Sequence, residues 1–490
     1  MMVCTVRRRG VSLLCLLGLV AAILVVGGAA PAFAGSRSYA EAPMQTQWEG
    51  LTVEEHLQEQ VKLSRSLAAE LPERALDKAV QVPLSAAEIN SIEKAPRWVS
   101  PLKVGLVKAL ASKIDVSGLK RGQVQPRNGG FVWAAVVRSE NAGAVRLHIE
   151  KMSLPRNAEL YVYSRKGEAF GPYTLTGPNG TGEFWATAVF GPEAILQVRV
   201  ARAADLRAVS FRVAEAGLMT RKFAGELQED IFASEPSLEV GAASFPCDNP
   251  SCVVDATCSN VAAANPAKSA TAKMEWVSGA FIYTCTGGLI TDNNPTQSNF
   301  FLTANHCLSK SSTAANVSFY WRFATASCNG TCPTNSGWPY KTTGASVSAT
   351  NRKGDFTLLR LSSAPPAGSV FLGWTSAPVA NTNGAQLYRI SNPNFGPQVY
   401  SQHNVDTSAP TCTGWPRGER IYSRDITGAT DGGSSGSPVI NASSQVVGQL
   451  SGACGFDASN ACAGGPGEAN ATVDGAFAFY YSTVQPIINP

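Results

Sequence analysis

Residues 431–438 read Asp431-Gly432-Gly433-Ser434-Ser435-Gly436-Ser437-Pro438. Gly433 and Gly436 bracket Ser435, so the backbone there can turn tightly. Such a turn would present the serine hydroxyl and aim main-chain N–H groups inward. The Gly433 and Ser435 N–H groups are the candidates to stabilise a developing oxyanion. A serine hydroxyl is a poor nucleophile near neutral pH and needs an adjacent base. Imidazole is the side chain whose proton affinity suits that task.

Beyond residue 245 the chain has only two histidines, His306 and His403. His306 closes the apolar run Phe301-Leu302-Thr303-Ala304-Asn305 and precedes Cys307. That setting predicts a backbone pinned at a strand end. Gly354-Asp355 opens a second apolar run, Phe356-Thr357-Leu358-Leu359. A carboxylate at the head of a buried strand needs a partner. An imidazole is a good one, because the carboxylate fixes its tautomer and stabilises the imidazolium. His306, Asp355 and Ser435 are therefore the candidate catalytic set.

Around these segments the texture from Cys247 onward is uniform. Short β-type runs alternate with Gly, Asn, Ser and Pro clusters, which predicts a barrel or sandwich. Val446-Val447-Gly448-Gln449-Leu450-Ser451-Gly452-Ala453 reads as the strand whose exposed edge, Ser451, Gly452 and Ala453, would hold a peptide by strand addition. Gly475-Ala476-Phe477-Ala478-Phe479-Tyr480 reads as a later strand forming another pocket wall.

These motifs together resemble the chymotrypsin-like serine proteases. The resemblance rests on Cys285-Thr286-Gly287-Gly288-Leu289-Ile290 with Leu302-Thr303-Ala304-Asn305-His306-Cys307, on the Gly354-Asp355 strand, and on Gly433-Ser434-Ser435-Gly436-Ser437-Pro438. The order His, Asp, Ser is that of this class. Ser434 stands where the animal enzymes carry Asp. With Cys252 and Cys258 spaced six apart, that makes the bacterial lysyl endopeptidases the most similar branch. The resemblance covers about 247–485 and implies a double β-barrel and hydrolysis of protein or peptide substrates through an acyl-enzyme; no cofactor is expected, and with no paired C-x-x-C units and histidine partners at zinc spacing, no metal either. It implies the disulfides Cys285–Cys307, Cys252–Cys454 and Cys258–Cys328, with the pairing of Cys247, Cys332, Cys412 and Cys462 open. Lysyl endopeptidases place an Asp three residues before the matching glycine, and here Thr472 stands there. Either Asp474 or Glu468 substitutes for it, or the pocket is neutral and favours small or apolar side chains. A catalytically silent binding protein on the same barrel is the alternative reading.

The rest of the chain frames this unit. Arg7-Arg8-Arg9, the apolar Val11–Val26 and Ala32-Phe33-Ala34 predict an export signal over 1–34 and no stable membrane anchor. Ten of twelve cysteines lie between Cys247 and Cys462, as an oxidising compartment allows. Residues 35–125 read as helical, with apolar positions three and four apart from Val53 to Leu71. Residues 126–220 read as a small β-sandwich without cysteine, with strands near 131–137, 145–149, 159–163 and 195–200. Residues 221–245 read as a linker carrying the maturation cleavage, and 246–490 as the protease unit.

The expectation for 35–245 is a propeptide that assists folding and blocks the site. A retained β module that binds matrix or substrate is its alternative. The net charge of +4 belongs to the N-terminal half, since 246–490 holds 12 Lys+Arg against 12 Asp+Glu. No clustered basic face points to nucleic acid. The expectation is a monomer, secreted or in transit through a periplasm. With Ser434 in place of Asp, activation is expected not to depend on a freed terminal amine.

Overall fold

Two barrels form the C-terminal half, and many of their strands are buried at nearly every position. Phe300–Ala304 is buried at all five residues. In the first barrel, Thr271–Ser278 pairs with Phe281–Leu289, and this with Phe300–Ala304. Phe300–Ala304 pairs with Phe356–Leu361, and this with Ala345–Asn351. On the other side Thr271–Ser278 pairs with Ser318–Trp321, which pairs with Lys341–Thr343. Lys341–Thr343 runs across Gly344, at φ +91°, into Ala345–Asn351, and this bend spans the remaining side. The second barrel is a closed ring of six strands. In order around the ring they are Gln386–Ser391, Val399–Val405, Arg420–Thr427, Asn470–Ala476, Gln445–Gly455 and Pro438–Ile440.

The structure is a computed structural model. It describes residues 38–46, 51, 53–72, 76–119, 123–127, 130–165, 167–225, 243–294, 297–335, 338 and 340–490. The expected signal segment and residues 226–242 of the expected linker lie outside the described residues. Among the described residues no helix is long and apolar enough to cross a membrane.

The N-terminal half is a two-sheet β-sandwich. One sheet runs Ala79–Gln81, Gly130–Arg138, Glu193–Val200, Ala158–Tyr163, Ala169–Tyr173, with Gln123–Arg127 beside Gly130–Arg138. The other runs Ala142–Ser153, Ser210–Thr220, Leu102–Ser117. The four strands expected from alternation all occur. The second sheet does not end at the sandwich. Leu102–Ser117 adds antiparallel to Phe281–Leu289 of the first barrel, with Leu106 opposite Phe281 and Leu102 opposite Thr284. One apolar core therefore joins Leu106, Val145, Leu147 and Leu218 to Ile282, Tyr320 and Phe395.

Two expectations need correction. The helical reading of 35–125 holds for Val53–Ala68 and Ala86–Glu93, the latter opened by a Ser85–Glu88 capping box. It fails at Leu102–Ser117, a sixteen-residue strand. Leu106, Leu110 and Ile114 are spaced like a helix face, but Val104, Val107 and Val116 are β-branched, and pairing with Ser210–Thr220 and with the barrel edge decides the outcome. The expected strand Gly475–Tyr480 breaks at Ala476, where the helix Phe477–Ile488 begins. Phe477, Tyr480, Tyr481, Val484 and Ile488 bury against the first barrel at spacings of three and four.

The joint between sandwich and barrel is also ionic. Arg146 of the sandwich donates to the Glu275 carboxylate of the barrel at 2.9 Å, and both side chains are fully buried. Tyr320 donates to the second Glu275 oxygen at 2.8 Å, and Lys341 pairs with Glu168. Burial raises the Tyr320 hydroxyl well above its ordinary range.

Candidate active site

His306 follows the Phe300–Ala304 strand, and Asp355 immediately precedes Phe356–Leu361, the strand paired with it. That pairing sets imidazole against carboxylate. His306 Nδ1 lies 2.9 Å from Asp355 Oδ2 and 3.1 Å from Oδ1, and the His306 main-chain N–H donates to Oδ1 at 3.0 Å. The Asp355 carbonyl accepts from Asn305 N–H and from the Gln449 side chain, both near 3 Å. The carboxylate is thus held from its own backbone outward.

Ser435 sits on the turn before Pro438–Ile440. Gly436 has φ +82°, and a Cβ there would meet Thr303 Oγ1 at 2.2 Å, so only glycine fits beside the nucleophile. Gly433 has φ +95°. Ser434 N–H donates to Asp431 and Gly436 N–H to Leu450, whereas the Gly433 and Ser435 N–H groups donate to no acceptor among the described residues.

No direct Ser435–His306 hydrogen bond is present. A third hydroxyl stands between them, that of Ser100 from the N-terminal half. Its Oγ is 2.7 Å from Ser435 Oγ and 2.9 Å from His306 Nε2. The segment 97–100 crosses the cavity mouth. Arg97 lies 3.5 Å from Asp431 and donates to the Asp248 carbonyl at 3.0 Å. Trp98 is half exposed over the same opening. Nothing in the sequence marks Ser100, because its role depends wholly on the tertiary docking of Leu102–Ser117.

Ser435, His306 and Asp355 line one cavity of ≈ 540 Å³ together with Ser451, Gly452, Ala453 and Thr472. Gly452 and Ala453 pair with Val473 and Thr472 on one edge. Asp474 is not brought in. It is fully buried in an ion pair with Arg389 at 2.6 Å. Glu468 is exposed on a turn and does not line the cavity. The cavity instead holds Asp425, which the sequence reading overlooked.

Five disulfides occur among the described residues. Cys285–Cys307 and Cys258–Cys328 are as the resemblance implied. Cys252 is bonded to Cys462, not Cys454. Cys454 pairs with Cys412, which packs with it in the small cluster around Tyr422 and Val473. Cys247 pairs with Cys332. Cys285, Cys307 and His306 gather closely, but the two sulfurs are bonded to each other and offer no thiolate to a metal.

Residues 248–463 match the family described as "Lysyl endopeptidase, C-terminal domain". The lysyl endopeptidase of Pseudomonas aeruginosa is 29% identical over 369 residues, covering 73% of this chain and 75% of its own. That span exceeds the barrel half, so the similarity reaches into the N-terminal region. Among solved structures, the inactive form of a protein from M. tuberculosis H37Rv is 16% identical over 48% of this chain and 96% of its own, at TM-score 0.30. A serine endoprotease from Yersinia pestis is 13% identical over 46% of this chain and 65% of its own, also at TM-score 0.30. In sequence the chain is thus similar to lysyl endopeptidases.

Proposed function

We propose that this chain is the exported precursor of an endopeptidase in which Ser435 is the nucleophile, His306 the general base and Asp355 its orienting partner. His306 Nε2 takes the Ser435 proton as the oxygen attacks the scissile carbonyl carbon. The carbonyl oxygen becomes an anion held by the Gly433 and Ser435 N–H groups, each worth about 3 kcal/mol. The imidazolium then returns its proton to the leaving amine nitrogen, and water releases the acyl group by the same steps in reverse order. Asp355 stabilises the imidazolium throughout.

The observation that carries this reading is the common point in front of Ser435 and His306. An oxygen there, that of Ser100, lies within hydrogen-bond reach of both groups while Asp355 holds the far nitrogen. The occupant comes from the chain's own N-terminal half, which supports the reading of that half as an inhibitory propeptide. The similarity to the P. aeruginosa relative beyond the barrel half supports it too. The basic Arg7-Arg8-Arg9, the apolar Val11–Val26 and Ala32-Phe33-Ala34 of the expected signal support export.

A fluorophosphonate probe tests the reading. It is expected to label Ser435 in the activated enzyme and to leave a Ser435→Ala variant unlabelled and inert on casein. Absence of labelling in activated wild type would favour a silent binding protein.

A further inference from the structure

The Gly433 and Ser435 N–H groups belong to peptide planes whose carbonyls are both held. Ser434 O accepts from Ser437 N–H at 3.0 Å, inside the same turn. Gly432 O accepts from Asn394 N–H at 2.7 Å, and Asn394 belongs to a different segment. It sits in the short turn Pro393–Phe395, which links Gln386–Ser391 to Val399–Val405. In a trans peptide the carbonyl and the following N–H point in opposite directions. Asn394 therefore turns the Gly433 N–H away from its own turn. The two segments are in close contact, since a Cβ on Gly433 would meet Asn394 N at 3.0 Å and Asn392 O at 3.1 Å.

The turn that holds Gly432 is itself strained. Asn394 (φ +52°) and Phe395 (φ +60°) are consecutive left-handed residues, and neither is glycine. Such residues persist only where their surroundings fix them. Asn394 Nδ2 donates to Asn249 Oδ1 at 2.9 Å and to Asp431 Oδ2 at 3.1 Å. Asn392 N–H donates to Thr286 Oγ1 at 3.1 Å, and that hydroxyl donates to Gly433 O at 2.8 Å. The remaining tie is a lysine, whose Nζ donates to Phe395 O at 2.9 Å.

That lysine, Lys273, is fully buried on Thr271–Ser278. Glu275, two residues on, is taken by Arg146, and among the described residues no carboxylate bonds to Lys273. Its nitrogen lies 3.4 and 3.8 Å from the ring centres of Phe323 and Phe395, and its other acceptor is Asn335 Oδ1. Burial pushes its titration well below the ordinary lysine range. An amine buried without a carboxylate is a burden on the fold, and methionine would fill the same space without it. What methionine does not supply is a donor to Phe395 O.

We propose that Lys273 is a positioning residue for the oxyanion site. By holding Phe395 O it keeps the strained pair Asn394–Phe395 in place, and so keeps Asn394 N–H on Gly432 O and the Gly433 N–H turned toward the substrate carbonyl. This rests on the endopeptidase reading above. Lys273 does not line the cavity and touches no reacting group. The charge that the Gly433 N–H meets develops only in the transition state, so a misaimed donor lowers kcat and leaves KM alone.

The test uses the full chain after its own activation, with active sites counted by fluorophosphonate labelling carried to completion. Lys273→Met keeps the bulk and removes the donor. Its kcat per labelled site on a peptide substrate is expected to fall at least about tenfold, with KM within about twofold of wild type. A peptide boronic acid forms a tetrahedral adduct with Ser435 and places an oxygen in the oxyanion site, so its affinity should fall by the same factor as kcat/KM. A second arm does not depend on that variant. Asn394→Gly and Asn394→Ala both drop the side-chain ties, but only glycine accepts the left-handed backbone, so the alanine variant should lose more kcat. The proposal falls if Lys273→Met keeps the wild-type kcat per labelled site, if its loss sits in KM or leaves the boronate affinity unchanged, or if Asn394→Gly is no more active than Asn394→Ala. Absent labelling in wild type would overturn the endopeptidase reading instead.

Discussion

The hydroxyl of Ser100 stands 2.7 Å from the hydroxyl of Ser435 and separates it from His306. A nucleophile held off its base by a foreign hydroxyl cannot pass its proton to that base directly. The Ser100 strap is continuous with Leu102–Ser117, which pairs with the barrel strand Phe281–Leu289, so it is anchored by sheet hydrogen bonds. Replacing Ser100 by alanine removes the intruding oxygen without cutting that anchor. The uncleaved Ser100→Ala precursor should label with a fluorophosphonate at least about tenfold faster than the wild-type precursor. Equal rates would mean that the hydroxyl does not hold the site silent.

Activation should not require a terminal amine at Ser434. That residue is buried, and its hydroxyl accepts from Ser391 at 3.0 Å. The start of the barrel half is tied elsewhere. Phe245 N–H donates to Gly330, Cys332 N–H donates to Ala243, and Cys247 is bonded to Cys332. A mature enzyme extended by two residues at its N-terminus should keep its activity within about twofold. A collapse of kcat would show that a freed amine orders the site.

The joint between halves depends on a fully buried pair, Arg146 with Glu275. Removing one partner leaves an uncompensated charge out of water, which costs about 3–5 kcal/mol. Glu275→Ala should lower the urea-unfolding free energy of the precursor by that amount. Arg146→Met with Glu275→Leu should cost less than either single change, because no buried charge remains. A single-variant loss below about 1 kcal/mol would contradict the burial of the pair.

The parts of this molecule that could be read in the sequence are those whose cause is local. Runs such as Phe131–Val137 and Glu159–Tyr163 alternate or stay apolar over a strand's length, and they are strands. The turn around Ser435 needs glycine at 433 and 436, and glycine is there. Leu102–Ser117 was ambiguous because its leucines fit a helical period while its valines favour a sheet. Its pairing with Ser210–Thr220 along most of its length, and with Phe281–Leu289 at its start, resolves it. Cys252 was misassigned by analogy, since Cys454 on the strand Gln445–Gly455 is taken by Cys412 and Cys252 is bonded to Cys462, 210 residues away. Asp425 and Ser100 were invisible for the same reason. Each gains its place from a neighbour far away in sequence, His403 across a strand pair or Ser435 across the joint.

The rim of the cavity should loosen in acid. Asp406 is held down to about 2, chiefly by the Ser408 hydroxyl and also by the Arg424 guanidinium. Arg424 in turn donates to the carbonyls of Glu468 and Asn470, beside the cavity wall. A carboxylate with a depressed folded value stabilises the fold fully above its ordinary unfolded value near 3.9, and loses that contribution as pH falls toward the folded value. The window is therefore about pH 4 down to about 2. Asp406→Asn should cost about 1–2 kcal/mol at pH 6, allowing for partial solvent screening. At pH 2 wild type and variant should unfold at nearly the same urea concentration. A gap that stays constant from pH 6 to pH 2 would show that Asp406 acts through packing rather than through its charge.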